Sequence, residues 1–205
     1  MGNGTRRIRL IGIASVITLA GCASTSITSM VAPEIQGRQF HHVLVVFPVS
    51  DLGERKVAET HFREVYFLDS TTFIPSYEVF FPGRQYSKDE MSALLQQHHI
   101  DAALVISLQD AGSRTVHTPT HTTAQCTIWT SNQGCVQASS TTTGGYDLSK
   151  PWASFSAVLI DASNTQVVWT ASARTGGNAF ADAHTLLRSL AEKTVGQLRA
   201  DGIVP

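Results

Sequence analysis

Charge is what this 205-residue sequence has least of: Asp, Glu, Lys and Arg make up 15% of it, against about a quarter in an ordinary globular chain. The net charge is −1, so there is no basic surplus of the kind that nucleic-acid binding requires. Cysteine is scarce as well, with three residues, and no C-x-x-C pair is present to begin a zinc site. No apolar run approaches the ~18 residues that would suggest a membrane-spanning helix. The nucleophile elbow G-x-S-x-G, the S-x-x-K pair and the metalloprotease H-E-x-x-H are all missing. Gly144-Gly145 and Gly176-Gly177 do not lie between a strand and a helix as a phosphate cradle would, and are read as turn residues. Ser, Thr and Gly fill the space that charge leaves. With 42% hydrophobic residues, the chain can build one core of ordinary domain size.

The first residues carry a different signal. Arg6, Arg7 and Arg9 precede an apolar stretch from Leu10 to Ala20, and no acidic residue accompanies them. As a helix that stretch is about 17 Å long, too short for a hydrocarbon core of about 30 Å but right for the apolar region of a signal peptide. Leu19-Ala20-Gly21-Cys22 follows and resembles the lipobox of bacterial lipoproteins. That resemblance implies cleavage before Cys22, a diacylglyceryl group on its thiol and a further acyl chain (palmitate or similar) on the new amino terminus. Two or three chains matter because a single one binds a membrane only marginally. Ala23 stands where some lipoproteins carry the Asp that retains them in the inner membrane. The expected address is therefore the periplasmic face of the outer membrane, with the inner membrane as the alternative. Without residues 1–21 the charge becomes −4, since the three arginines are their only charged residues.

Residues 22–39 are rich in Ser and Thr, contain Pro33 and Gly37, and read as a lipidated terminus and flexible tether spanning roughly 20–25 Å. The domain proper is expected over residues 40–205. His42–Val49 is a continuous apolar run suited to a buried strand. Gly53–Leu68 places Val57, His61, Val65 and Leu68 at helical spacing. Thr72–Phe81 reads as an edge or bulged strand because Pro75 interrupts it. Ser87-Lys88-Asp89-Glu90 is a capping box, followed by a helix with Met91, Leu94, Leu95 and His98 on one side. Ala102–Leu108 is the next buried strand. Phe155–Asp161 and Gln166–Ala171 form two strands around a Ser163-Asn164 turn. A helix from Ala181 to Ala200 buries Leu186, Leu187, Leu190, Thr194, Val195 and Leu198, and Gly202 stops it. Strands alternating with helices predict an α/β fold, a single mixed sheet packed against helices. Residues 111–147, nearly uncharged, are expected to form a polar hairpin-like insertion.

The segments VLVVFPVSD (Val43–Asp51), DAALVISL (Asp101–Leu108) and LIDASNTQVVW (Leu159–Trp169), with the terminal helix, resemble small envelope lipoproteins having a TolB N-terminal-domain-like α/β fold. Relatives of curli-secretion lipoproteins and lipoprotein activators of peptidoglycan synthases belong to that group. The resemblance implies a sheet backed by helices and an accessory or assembly role. It carries over no catalytic residue, and the 111–147 insertion has no counterpart in it.

Among candidate chemical sites, Cys126 and Cys135 enclose CTIWTSNQGC. In an oxidising compartment they are expected to pair, a loop closure worth about 2.5–3 kcal/mol on the chain-entropy account; free thiols or a metal pair are the alternatives. Trp129 lies inside that loop and is the candidate partner contact, whereas Trp152 and Trp169 read as core residues. His117 and His121 have metal-ligand spacing only on a helix, and Pro119 with the neighbouring threonines opposes one. No metal or cofactor is expected, nor any catalytic residue. The reading is a non-enzymatic, membrane-anchored accessory or assembly factor that binds another envelope protein. The alternatives are a structural subunit of a secretion or export complex, and a cell-wall hydrolase.

Overall fold

A computed structural model describes residues 21–35, 37–65, 70–130 and 134–205, with the backbone alone over 124–130 and 134–139. Its elements in chain order are β1 (Ala23–Val31), β2 (His42–Val46), α1 (Leu52–Glu64), β3 (Thr72–Pro75), α2 (Ser76–Val79), α3 (Lys88–Gln97), β4 (Ala102–His117), β5 (His121–Thr130), β6 (Gly134–Thr143), β7 (Asp147–Asp161), β8 (Val167–Gly177) and α4 (Ala183–Ala200). Six strands form one mixed sheet in the order β1-β8-β7-β4-β2-β3, and β5 pairs with β6 in a separate two-stranded ladder. The α/β class, the mixed sheet and the C-terminal helix are as the sequence predicts.

Alternation along β2 explains the layering, because successive side chains of a strand point to opposite faces. Val43 and Val45 join the main core with Phe62 of α1, Leu190, Val195 and Leu198 of α4, and Leu104, Ile106 and Leu159 of the central strands. Leu44 faces the other way and packs with Val79 and Ile100, joined by the partly buried Leu94 and Leu95 of α3. β3 is an edge strand, as Pro75 requires.

Local chemistry sets the helix ends. Ser87 caps α3 by accepting from Glu90 N, while the Glu90 carboxylate accepts from Ser87 N at 2.8 Å. Asp182 caps α4 by accepting from Thr185 N at 2.8 Å. At its other end Gly202 takes a left-handed φ of 72°. Gly202 N then donates to Arg199 O and Ile203 N to Leu198 O, the Schellman pattern, which sends Ile203 and Val204 into the core.

Three expectations are corrected. Residues 23–31 are not a tether. They form β1, which pairs antiparallel with β8 in unbroken register from Ala23↔Gly177 to Val31↔Trp169. The inward positions of β1 are partly buried although two of them are Thr25 and Ser29, because hydroxyl pairs replace apolar packing: Thr25 Oγ1 lies 2.9 Å from Thr175 Oγ1 and 2.8 Å from Ser189 Oγ. The sheet therefore begins one residue after Cys22, and Ile35 and Phe40 are also buried. Second, the buried face of α1 is Ala58, Glu59 and Phe62, one position round from the predicted stripe; Val57 and His61 are half-buried at its margin, and Leu68 lies outside the described residues. Third, the strand expected over Thr72–Phe81 stops at Pro75, and Ser76–Val79 form α2; α3 keeps Leu94, Leu95 and His98 on one partly buried side with Met91 exposed.

Candidate functional site: the Cys22 end of the sheet

The registers place Cys22 in the molecule. Ala23 pairs with Gly177, Gly176 with Trp152, and Trp152 with Gly112. Cys22 is exposed at this level, and its carbonyl accepts from Asn178 N at 2.9 Å. The connection from β8 to α4 folds back here: a Cβ on Gly177 would stand 2.3 Å from Ala181 Cβ, a clash that only glycine avoids. Phe180, in the same connection, is 61% exposed.

Two strands continue past this level. Ser113–His117 of β4 pairs with Asp147–Pro151 of β7, a ribbon extending about 17 Å beyond the rest of the sheet. Thr118 N donates to Tyr146 O and Gly145 N to Thr118 O, carrying the ladder on towards β5 and β6. Gly144 and Gly145 take positive φ of 93° and 74° where Pro119 interrupts the opposite strand. The insertion is thus the expected hairpin, built as an arm of four strand segments, and residues 115–146 of it contain no Asp, Glu, Lys or Arg.

The side chains of Cys126, Trp129 and Cys135 lie outside the described residues. The backbone register sets Cys126 opposite Ala138 and Trp129 opposite Cys135. His117 sits on β4, its Nδ1 2.8 Å from Asp147 Oδ1, and His121 begins β5. Trp169 is a core residue, as read from the sequence, and its indole N–H donates to Asp201 at 2.7 Å. Trp152 is half-buried under the Arg174 guanidinium, 4.7 Å from its ring, while Ala153 and Phe155, which alternate to the other face of β7, line a cavity between the sheet and the first turns of α1 and α4.

The buried carboxylates tie elements together. Glu59 is fully buried and accepts from Phe47 N and Arg55 Nε, each at 3.0 Å, and from Ser76 Oγ at 2.7 Å. Asp161 holds the β7–β8 turn through Ser163 N and Oγ and pairs with Arg38 at 2.5 Å. Burial pushes its carboxyl up, but the Ser163 hydrogen bonds and the Arg38 charge outweigh that and hold it below the ordinary value. Asp201 accepts from Ser29 at 2.6 Å, Trp169 at 2.7 Å and Gln197 at 2.9 Å. Burial opposes its ionisation too, and these three donors again prevail. All three carboxylates have their oxygens committed to the fold.

No protein-family model matches the sequence, and no curated protein resembles it significantly. Among solved structures it is similar to the PelC dodecamer from Paraburkholderia phytofirmans, with a TM-score of 0.45 and 14% identity over 85% of this chain and 97% of that one. It is also similar to the lipoprotein GNA1162 from Neisseria meningitidis, with a TM-score of 0.37 and 17% identity over 78% of this chain and 99% of that one. Similarity this distant assigns no function.

Proposed function

We propose that the chain is a lipid-anchored, non-enzymatic accessory or assembly factor of the bacterial envelope, held by acyl chains on Cys22 and contacting another envelope protein through its β4–β7 and β5–β6 arm. One observation carries this reading. The lipobox cysteine and the base of the uncharged arm lie at the same end of the sheet, so the membrane anchor and the most extended surface face the same way. The outer membrane, periplasmic face, is the address that Ala23 supports. No helix of the described residues is long and apolar enough to cross a membrane.

A photo-crosslinking residue at Thr142, exposed on the arm, tests the contact in living cells. The same envelope protein should be captured in repeated experiments, and not from Glu192 on the exposed face of α4. Equal capture from both positions, or none from Thr142, would remove the reading.

The structural-subunit alternative is favoured by a separate observation. Among the described residues β5 pairs only with β6, and β1 pairs only with β8, so the arm and the sheet each present unpaired strand edges. β1 contains neither Pro nor Lys to protect its edge. Crosslinking from Thr142 to a second copy of the chain would decide for this alternative.

A further inference from the structure

On the helix-covered side of the sheet, beside Cys22, lies an apolar cavity of about 580 Å³, within the range that encloses small ligands. Phe47, Leu108, Ala153 and Phe155 line it from the sheet side, and Val57 and Leu187 line it from α1 and α4. Leu108 is 46% exposed, so an apolar wall stands open to the surroundings. The exposed polar side chains of the lining are Asp51 and Glu54 at the start of α1 and Asp182 and His184 at the start of α4.

The place where the chain leaves the sheet identifies the occupant. A group on the Cys22 amino nitrogen takes the position of Gly21, and Gly21 is packed on the Phe180–Ala181 backbone. A Cβ there would be 2.6 Å from Phe180 O and 3.1 Å from Ala181 Cα. The next two residues, Asp182 and Ala183, line the cavity. Gly177, which pairs with Ala23, also approaches Pro151 of the lining.

We propose that the acyl chain on the Cys22 amino nitrogen lies in this cavity, while the two chains of the thiol-linked diacylglyceryl group enter the bilayer. This rests on the lipid-anchor reading above. Two chains suffice for stable anchoring, so the third is free to dock. The three carboxylates at the opening disfavour the headgroup of a free fatty acid or an anionic lipid and accept a neutral amide-linked chain. The docked chain fixes the domain against the membrane surface.

The test uses the mature lipoprotein from bacteria grown on a diazirine-bearing fatty acid, irradiated in membranes and mapped by mass spectrometry. The intact mass should show three acyl chains. Crosslinks should run from the Cys22 terminus to Leu108, Phe155 or Leu187 of the same chain. Leu108→Glu places a charge on a half-exposed apolar wall and should lower these crosslinks about tenfold. Val57→Gln, on the facing wall, should lower them too, while Met30→Glu on the uncovered face of the sheet leaves them unchanged. A Cys22 without lipid overturns both this inference and the reading it rests on. A protein with only two chains, or one whose crosslinks all go to bilayer lipid or to a second protein, overturns this inference alone.

Discussion

Asp201 joins three elements with one side chain: Ser29 of β1, Trp169 of β8 and Gln197 of α4 all donate to it. Hydrogen bonds to a charged group are worth more than neutral ones, so Asp201→Ala should cost about 3 kcal/mol in denaturant unfolding. Asp201 and Asp161 both have folded pKa values below the ordinary 3.8. Their contribution is fully present above that value and is lost as pH falls through the folded pKa, so acid unfolding should begin below about pH 4. His61 adds a second slope at higher pH. Burial lowers its pKa from 6.5, against the opposing pull of Glu64, with His184 and Arg188 adding to the lowering and Asp182 opposing it. Its ring lies edge-on to His184 at 5.8 Å, and its Nε2 has no hydrogen-bond partner among the described residues. The fold thus favours the neutral ring, and stability should fall as pH drops below 6.5. His61→Gln should flatten unfolding free energy between about pH 7 and 5; an unchanged slope would assign that titration to another group.

At the scale of elements, Gly202 is the position where conformation alone decides the residue. Gly202→Ala should destabilise by about 1 kcal/mol because φ is positive there, with no change in fold by circular dichroism. β1 makes a further prediction: its amides that face β8 should exchange with deuterium as slowly as those of β8 itself, not at the rate of a free linker. The cysteine pair of the arm is tested by the intact mass with and without reductant. A disulfide between Cys126 and Cys135 predicts a gain of about two mass units on reduction, with no such change in Cys126→Ser. The capping box of α3 and the stripe of α4 were legible in the sequence because each is a local pattern: Ser87 and Glu90 are three residues apart, and Leu186, Leu190 and Leu198 recur on one helical face. β1 was not legible because its inward face carries Thr25 and Ser29, whose partners Thr175, Ser189 and Asp201 lie far along the chain. The α1 face was misread by one position because the buried residue there is Glu59, a charge that hydrophobic periodicity counts as exposed.

For the whole molecule, the lipobox makes Cys22 legible as a candidate lipidation site, but its place at the end of β1 was not legible. A Ser/Thr-rich stretch after the lipobox implies reach; the unbroken pairing of β1 with β8 takes up residues 23–31 and leaves Cys22 directly at the end of the sheet. The cavity gathers residues from β2–α1, β4, β7 and α4, segments whose proximity no local pattern shows. The arm was visible as composition, and its strands supplied its direction. In the lipid-anchored reading proposed above, the Cys22 end of the sheet rests on the membrane with no intervening tether. It is tested most directly by a fluorescent amino acid placed at Phe180 or at Val167 in the mature lipoprotein, bound to vesicles that carry depth-graded quenchers. Val167 is 53% exposed at the far end of β8, about 33 Å of strand away. Strong quenching at 180 by the shallow lipid quenchers and none at 167 is expected; equal and weak quenching at both positions would rule out an anchor at this end of the sheet.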